Sequence, residues 1–222
     1  ASLVSGGNTM LVHVRDWGDY EILGTTIDDA VGEAFDKVAK ALGLGYPGGP
    51  VISRLSAQGN PKAIHFPRAM MHSHDFRFSL SGLKTSVITY IEGENKAGRP
   101  VNLSDLAASF EAAVIDVQVA KATEAVRQTG VKEFCVGGGV AANPGLRAAY
   151  KKAFGKMGVR VTVPPMVVCG DNGAMIAAVA LRNWRAGLMA PLTLDADPNA
   201  KIDAWTSSEP PVIAGTWPPR NK

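Results

Sequence analysis

The sequence predicts an α/β fold, a mixed sheet flanked by helices. Three observations predict it. Residues 1–24 read as three short strands joined by tight turns. Two stretches carry apolar residues at helical spacing. Residues 132–163 then read strand, helix, strand, a unit whose two strands run parallel.

The elements follow in order. Ser2–Val4 is apolar, and Ser5-Gly6-Gly7-Asn8-Thr9 is a turn cluster. In Met10–Arg15 the residues Met10, Val12 and Val14 fall on one side and His13 and Arg15 on the other, which is strand periodicity. Asp16-Trp17-Gly18-Asp19 turns the chain into a third strand, Tyr20–Gly24. Val31, Ala34, Phe35, Val38, Ala41 and Leu42 then form a helical stripe. Asp28 suits its N-cap, and Gly43 suits the position past its end. Tyr46-Pro47-Gly48-Gly49-Pro50 breaks the chain before a short helix near Val51–Gln58. Residues 59–77 are irregular and hold His65, His72 and His74. Gly82–Gly93 reads as helix or strand, with helix preferred. Leu103–Gln128 is the longest helical pattern, with Ser104 suited to cap it and Gly130 to stop it.

Lys132–Val136 is a buried-type strand that runs into Gly137-Gly138-Gly139. Asn143 caps the next helix, with Pro144 at its first position, where the missing N–H costs nothing. Gly158 ends that helix, and Val159–Val163 is the following strand. Asp171 or Asn172 caps a last helix from Gly173 to Ala186. All of these elements lie within residues 1–189. The proline-rich stretch 190–222 is expected to be an extended or disordered tail.

The composition supports a folded core. Of 222 residues, 46% are hydrophobic and 19% charged, which excludes a disordered chain. No apolar run approaches the ~18 residues of a membrane span, so no membrane partner is expected. Two cysteines make no disulfide framework, which suits a reducing, cytoplasmic location. A net charge of +3 permits a nucleic-acid partner without demanding one. The chain opens on Ala1 within a strand, which suits a fragment, a processed chain, or one lobe of something larger.

Two glycine bends are the first candidates for chemistry. Ser5-Gly6-Gly7 lets backbone N–H groups approach a phosphate or carboxylate, or else is only a hairpin turn. Gly137-Gly138-Gly139 lies between a buried strand and a helix N-terminus, where α/β folds bind ligands. The alternative there is a plain turn with Asn143 as its cap. Asp171 is either a helix cap or a metal ligand. Asp36 lies on the polar side of its helix, where Lys40 offers a simple salt pair. His72 and His74 share a face if extended, although a solvated loop is the simpler reading. Arg147, Lys151, Lys152, Lys156 and Arg160 give one helix and its exit a positive side, suited to RNA phosphate or to plain solvent.

Six blocks occur in one order: Leu3-Val4-Ser5-Gly6-Gly7-Asn8-Thr9, Ile27 to Lys37, Tyr46 to Pro50, Phe78 to Thr85, Gly138 to Asn143, and Asp171 to Met175. The series resembles the tRNA N6-adenosine threonylcarbamoyltransferase family, TsaD in bacteria and formerly O-sialoglycoprotein endopeptidase. The resemblance implies that residues 1–189 are one lobe, the second and C-terminal lobe of an actin-like, sugar-kinase-like ATPase fold. It implies transfer of a threonylcarbamoyl group from its adenylate to N6 of the adenosine beside the tRNA anticodon. Carried over by motif, Leu3, Val4, Ser5, Gly6 and Gly7 would line the threonylcarbamoyl-adenylate site. Asp36 and Gly49 would hold the sugar and base region of this ATP-type ligand, and Asn143 would contact the nucleotide. Asp171 would be the ligand of one divalent metal, Fe2+ or alternatively Zn2+. No residue is assigned a catalytic role. The implied partners are tRNA, a paralogous scaffold subunit and a small ATPase.

The chain departs from that pattern in three places. It has no His-x-x-x-His pair, so its metal site is incomplete and this portion alone is expected to be inactive. Asn8 stands where the family usually has His, and Gly170 where Thr is usual. A non-catalytic scaffold paralogue and an ATPase or sugar kinase of the same fold are the alternatives.

Overall fold

The structure, a computed structural model, describes residues 1–196 and 200–202. Strands β1 (Ser2–Val4), β2 (Thr9–Asp16), β3 (Asp19–Thr25), β4 (Glu133–Gly137) and β5 (Arg160–Thr162) form one sheet in the order β3-β2-β1-β4-β5. β1 pairs antiparallel with β2, with Leu3 opposite Met10. It pairs parallel with β4, with Leu3 opposite Gly137. β4 and β5 are parallel, as a strand–helix–strand unit requires. The sheet is mixed and flanked by helices. The hairpin and the parallel unit meet along β1–β4, so both glycine bends leave the sheet at one edge.

The helices are α1 (Val31–Ala41), α2 (Gly48–Ser56), α3 (Ser81–Lys96), α4 (Leu103–Thr129), α5 (Pro144–Gly155) and α6 (Gly173–Arg185). The stripe on α1 is buried at Val31, Ala34, Phe35 and Val38. Phe35 meets Phe110 of α4 edge-on, with centroids 5.0 Å apart. Phe134 of β4 packs against Tyr150 and Phe154 of α5 at 4.9 and 4.4 Å. Burying each such ring is worth about 1.5–3 kcal/mol. Complete burial raises the pKa of Tyr150, whose hydroxyl meets Ser2 Oγ at 3.4 Å.

Several caps differ from the expectation. Asp28 does not cap α1. That helix starts at Ala30, where Glu33 accepts the Ala30 N–H (3.3 Å) and Thr9 Oγ accepts the Val31 N–H (2.8 Å). Asp28 instead accepts from Leu80 N–H (2.7 Å), Ser79 Oγ (2.6 Å) and Ser81 Oγ (2.8 Å), and so anchors the start of α3. Asn102, not Ser104, caps α4 by accepting the Ser104 and Asp105 N–H groups. Asn143 caps α5 as expected, and Asn172 caps α6.

Residues 59–77 have no regular structure but are strapped along α4. Asn60 N–H donates to Asp105, Ile64 N–H to Ser109 Oγ, and Arg68 pairs with Asp116. Buried Lys121 ends the strap by donating to Ser73 Oγ (2.9 Å) and the Asp75 carbonyl (2.7 Å). Burial lowers its pKa, against the opposing pull of Asp75. His72 and His74 are exposed, and no metal-holding group forms among the described residues.

The chain divides into two compact units. One holds Ala1–His13 and Ile22–Gly170. The other holds Val14–Glu21 and the chain from Asp171 onward. In the second unit the Trp17 indole N–H donates to Asn183 Oδ1 (3.3 Å), and the Arg182 guanidinium lies 5.0 Å from the Trp17 ring centroid. No residue of α6 is buried. The expected tail, at residues 197–199 and 203–222, lies outside the described residues.

The Asp28 anchor has a pH signature. Burial opposes its ionisation, but the bonds from Ser79, Leu80 and Ser81 outweigh that and hold its pKa below 3.8. Its contribution is therefore complete above the ordinary carboxylate range and is lost as pH falls through the native value. Asp28→Ala is expected to cost about 1 kcal/mol at pH 7, the worth of a helix cap. The Tm gap to wild type, followed by circular dichroism, should close in strongly acidic solution.

Candidate functional site

The first bend follows β1. Ser5 N–H donates to the Asn8 carbonyl (2.8 Å), and Ser5 Oγ accepts from Asn8 N–H (3.0 Å) and Gly7 N–H (3.3 Å). The serine hydroxyl is thus tied into its own turn. Among the described residues the exposed Gly6 N–H has no acceptor. The N-terminus of α1 abuts this bend, with Gly32 N–H donating to the Ser5 carbonyl at 3.0 Å. A Cβ on Gly32 would come within 2.8 Å of Gly6 Cα, so only glycine allows the approach.

The second bend follows β4. Gly138 has φ +91°, and a Cβ there would lie 2.3 Å from the Val4 carbonyl oxygen. The two bends therefore touch. Leu3 lines the same junction, where its side chain would meet a Cβ on Gly137 at 3.2 Å. At Gly6, Gly7 and Gly139 an added Cβ would meet nothing within 4 Å. The same short motifs thus hold glycines forced by packing and glycines facing open space.

Beside the first bend lies an open cleft of about 620 Å³, lined by Gly6, Glu33, Asp36, Lys37, Lys40 and Tyr46 among others. Asp36 makes no ion pair with Lys40. Its Oδ1 accepts the Gly48 N–H at 2.7 Å. That bond seats the start of α2 on α1, where a Cβ on Gly48 would lie 2.8 Å from Asp36 Cα, while one on the following Gly49 would meet nothing within 4 Å. Lys37 is held by Asp29 (2.7 Å) and Glu33 (2.8 Å), and Asp29 also faces Lys84 at 3.7 Å. The block around Lys84 thereby reaches the cleft wall through Asp29. Paired acids and lysines beside open backbone suit a ligand with both hydroxyls and an anionic group.

Asn143 has both ends of its side chain engaged. Oδ1 accepts the Leu146 N–H (2.8 Å), and Nδ2 donates to Glu111 (2.5 Å). Glu111 also accepts from Ser56 Oγ at the end of α2. This buried carboxylate of α4 ties the second bend to α2. Its sequence signal was a single acid in the run Ala107 to Val114, which is otherwise apolar but for Ser109. Arg147 is not part of the positive surface. Its Nε donates to the Ala141 carbonyl (2.5 Å), and its Nη2 to the Pro164 carbonyl (2.8 Å) and Cys169 Sγ (3.0 Å). It clamps the second bend to the segment leaving β5.

Asp171 belongs to the second unit and is exposed. Among the described residues no three His, Cys, Asp or Glu side chains come together. The described residues of this chain therefore do not fit a metal site by themselves.

The sequence model described as tRNA N6-adenosine threonylcarbamoyltransferase, TsaD, matches residues 1–178. The chain belongs to that family. Proteins of that name are similar to it in Clostridioides difficile (46% identical, 90% of this chain and 60% of the relative). So are those of Trichlorobacter lovleyi (47%, 91% and 59%) and Bordetella petrii (52%, 85% and 55%). The chain thus spans about 60% of the length of the curated relatives it matches. A crystal structure of T. kodakarensis HypF shares the fold, with TM-score 0.51 and 24% identity over 72% of this chain and 21% of that one. As a threonylcarbamoyltransferase-family chain, it places every matched block but the one at Asp171 in the first unit. The two bends, Asp36 and Gly49 come from four of those blocks.

Two predictions follow from this packing. Gly138→Ala is expected to destabilise by about 2–3 kcal/mol or more, since it combines a left-handed backbone with a clash on a carbonyl. Gly139→Ala should leave the Tm within a few degrees of wild type. Loss of the Arg147 clamp should expose Cys169. In a Cys135→Ser background, Arg147→Ala is expected to raise the labelling rate of Cys169 by a thiol reagent about tenfold, the equivalent of one hydrogen bond to a charged group.

Proposed function

We propose that the chain is the ligand-contacting portion of a tRNA N6-adenosine threonylcarbamoyltransferase. The observation that supports this reading best is the contact between the two glycine bends at one sheet edge, beside a cleft holding Asp36. Such a site offers backbone donors to the phosphate and acyl oxygens of threonylcarbamoyl-adenylate. Leu3 to Gly7 receive the acyl phosphate, Asp36 and Gly49 the sugar and base, and the turn capped by Asn143 closes the nucleotide side.

The chemistry asks for little more. N6 of the tRNA adenosine attacks the carbamoyl carbon. The new C–N bond forms, the bond from that carbon to the phosphate oxygen breaks, and AMP departs with its electron pair. The N6 proton leaves to solvent. The adenylate is already activated, so positioning and stabilisation of developing negative charge account for the rate. Ser5 needs no general base in this scheme, and Asn8 offers none.

The family reading also implies a divalent metal, Fe2+ or Zn2+. Asp171 would be one ligand, and the others would come from outside the described residues. A paralogous scaffold subunit, a small ATPase and a cytoplasmic location belong to the same proposal. No described helix is long and apolar enough to cross a membrane. The lone carboxylate and Asn8 favour one second reading, a non-catalytic scaffold paralogue.

The intact polypeptide, supplied with metal, partner subunits and threonylcarbamoyl-adenylate, is expected to convert tRNA adenosine to threonylcarbamoyladenosine, read by nucleoside mass spectrometry. Asp36→Ala should raise KM for the adenylate about tenfold, the loss of one charge-assisted hydrogen bond. Unmodified tRNA, where a known family member modifies the same tRNA, would exclude the transferase. Metal absent from that inactive protein would favour the scaffold.

A further inference from the structure

The basic residues of the chain are not evenly spread. Residues 134–170 carry Arg147, Lys151, Lys152, Lys156 and Arg160 and not one acid, against +3 for the whole chain. The structure sorts these five by role. Arg147 is spent on internal carbonyls, and Arg160 pairs with Glu133 at 2.5 Å. Lys151, Lys152 and Lys156 are exposed, and among the described residues no acid lies within ion-pair distance of any of them. Elsewhere Arg15, Lys37, Arg68, Arg77, Lys84, Arg99, Lys121 and Arg127 all have acidic partners. Lys40, Arg54, Lys62, Lys96 and Lys132 make no such ion pair either, but they are spread over separate segments, whereas Lys151, Lys152 and Lys156 lie together within six residues.

Their position narrows the partner. α5 begins at the second glycine bend and runs away from it for 12 residues, about 18 Å. Lys151 and Lys152 lie in its far half and Lys156 at its C-cap, and exposed Lys132 adjoins that end, its carbonyl accepting the Arg160 N–H at 2.9 Å. A small adenylate bound at the bend cannot reach them. A macromolecule can. Membrane-surface helices set large apolar residues beside their lysines. Here no large hydrophobic side chain between Leu103 and Met166 is exposed. Tyr150 and Phe154, the aromatics of α5, are buried and offer no base a stacking surface. What remains is contact between ammonium groups and a phosphate backbone, which positions a nucleic acid without reading its sequence.

We infer that the outer face of α5, through Lys151, Lys152 and Lys156, is a docking surface for the phosphate backbone of the acceptor RNA. The inference rests on tRNA being the acceptor, as proposed above. It adds that the RNA is gripped about a helix length away from the reacting adenosine.

The test measures tRNA binding by the intact polypeptide across a salt series, together with transfer kinetics. Replacing the three lysines by glutamine (K151Q/K152Q/K156Q) is expected to make the slope of log K against log salt shallower by about 2–3, given 0.7–0.9 per phosphate contact. KM for tRNA should rise while KM for the adenylate stays at the wild-type value, and Lys96→Gln, a distant exposed lysine, should leave the slope as it was. An unchanged slope in the triple variant overturns the inference even if wild-type transfer is normal. A shifted slope in a protein that does not transfer keeps the surface and removes the transferase reading. Tighter binding to phosphatidylserine-containing vesicles than to tRNA, lost in the triple variant, assigns the face to membranes and overturns the RNA surface.

Discussion

The site depends on the close approach of Gly138 to the carbonyl of Val4. β1 and β4 lie side by side and parallel, and each ends in a glycine bend. Parallel neighbours end at the same edge of a sheet, so the bends must share space there. They can do so only if one of them has no side chain and tolerates a positive φ. Any Cβ at 138 would push the bends apart and with them the backbone donors that face the open side. Gly32 does the same for the N-terminus of α1, adding the partial positive charge of a helix start.

Around that junction polar side chains work as ties. Glu111, buried on α4, receives Ser56 from α2 and Asn143 from the second bend. Arg147 fixes that bend to the chain leaving β5. Asp36 receives the first N–H of α2. A buried charge left without such partners costs several kcal/mol, so each tie is also a constraint on where its segment can sit. The cleft is consequently assembled from segments distant in sequence. Each glycine bend has a rigid helix behind it.

Much of this arrangement was legible in the sequence. Periodicity located α1 and α4, because apolar spacing reports burial directly, whereas α2 and α6 were located by the proline, glycine and capping residues around them. The glycine stops at Gly43, Gly130, Gly158 and Gly187 are all at positive φ, since that backbone state excludes most other residues. Local sequence does not report long-range partners, and there the reading failed. Asp28 looks like a cap for the helix three residues on, yet it serves α3 from a distance of 51–53 residues. Arg147 shares a helix with three surface lysines, and only the fold shows it facing three acceptors instead of water. Lys40 sits at ion-pair spacing from Asp36, but the Gly48 N–H takes the carboxylate.

The junction also explains the absence of a nucleophilic triad. Ser5 stands where a nucleophile would be sought, at the end of a strand beside a helix N-terminus. Its hydroxyl accepts two amides of its own turn, and it has no hydrogen bond to a histidine or carboxylate among the described residues. Activating it would require breaking the turn that orients the Gly6 N–H. A site built this way is unsuited to covalent acyl transfer through serine. On the proposed reading it holds an acyl group that arrives already activated, while an external amine attacks. The acceptor on that reading is delivered accurately from outside the cleft. A long-range electrostatic grip on a large nucleic acid supplies such orientation without a fitted pocket.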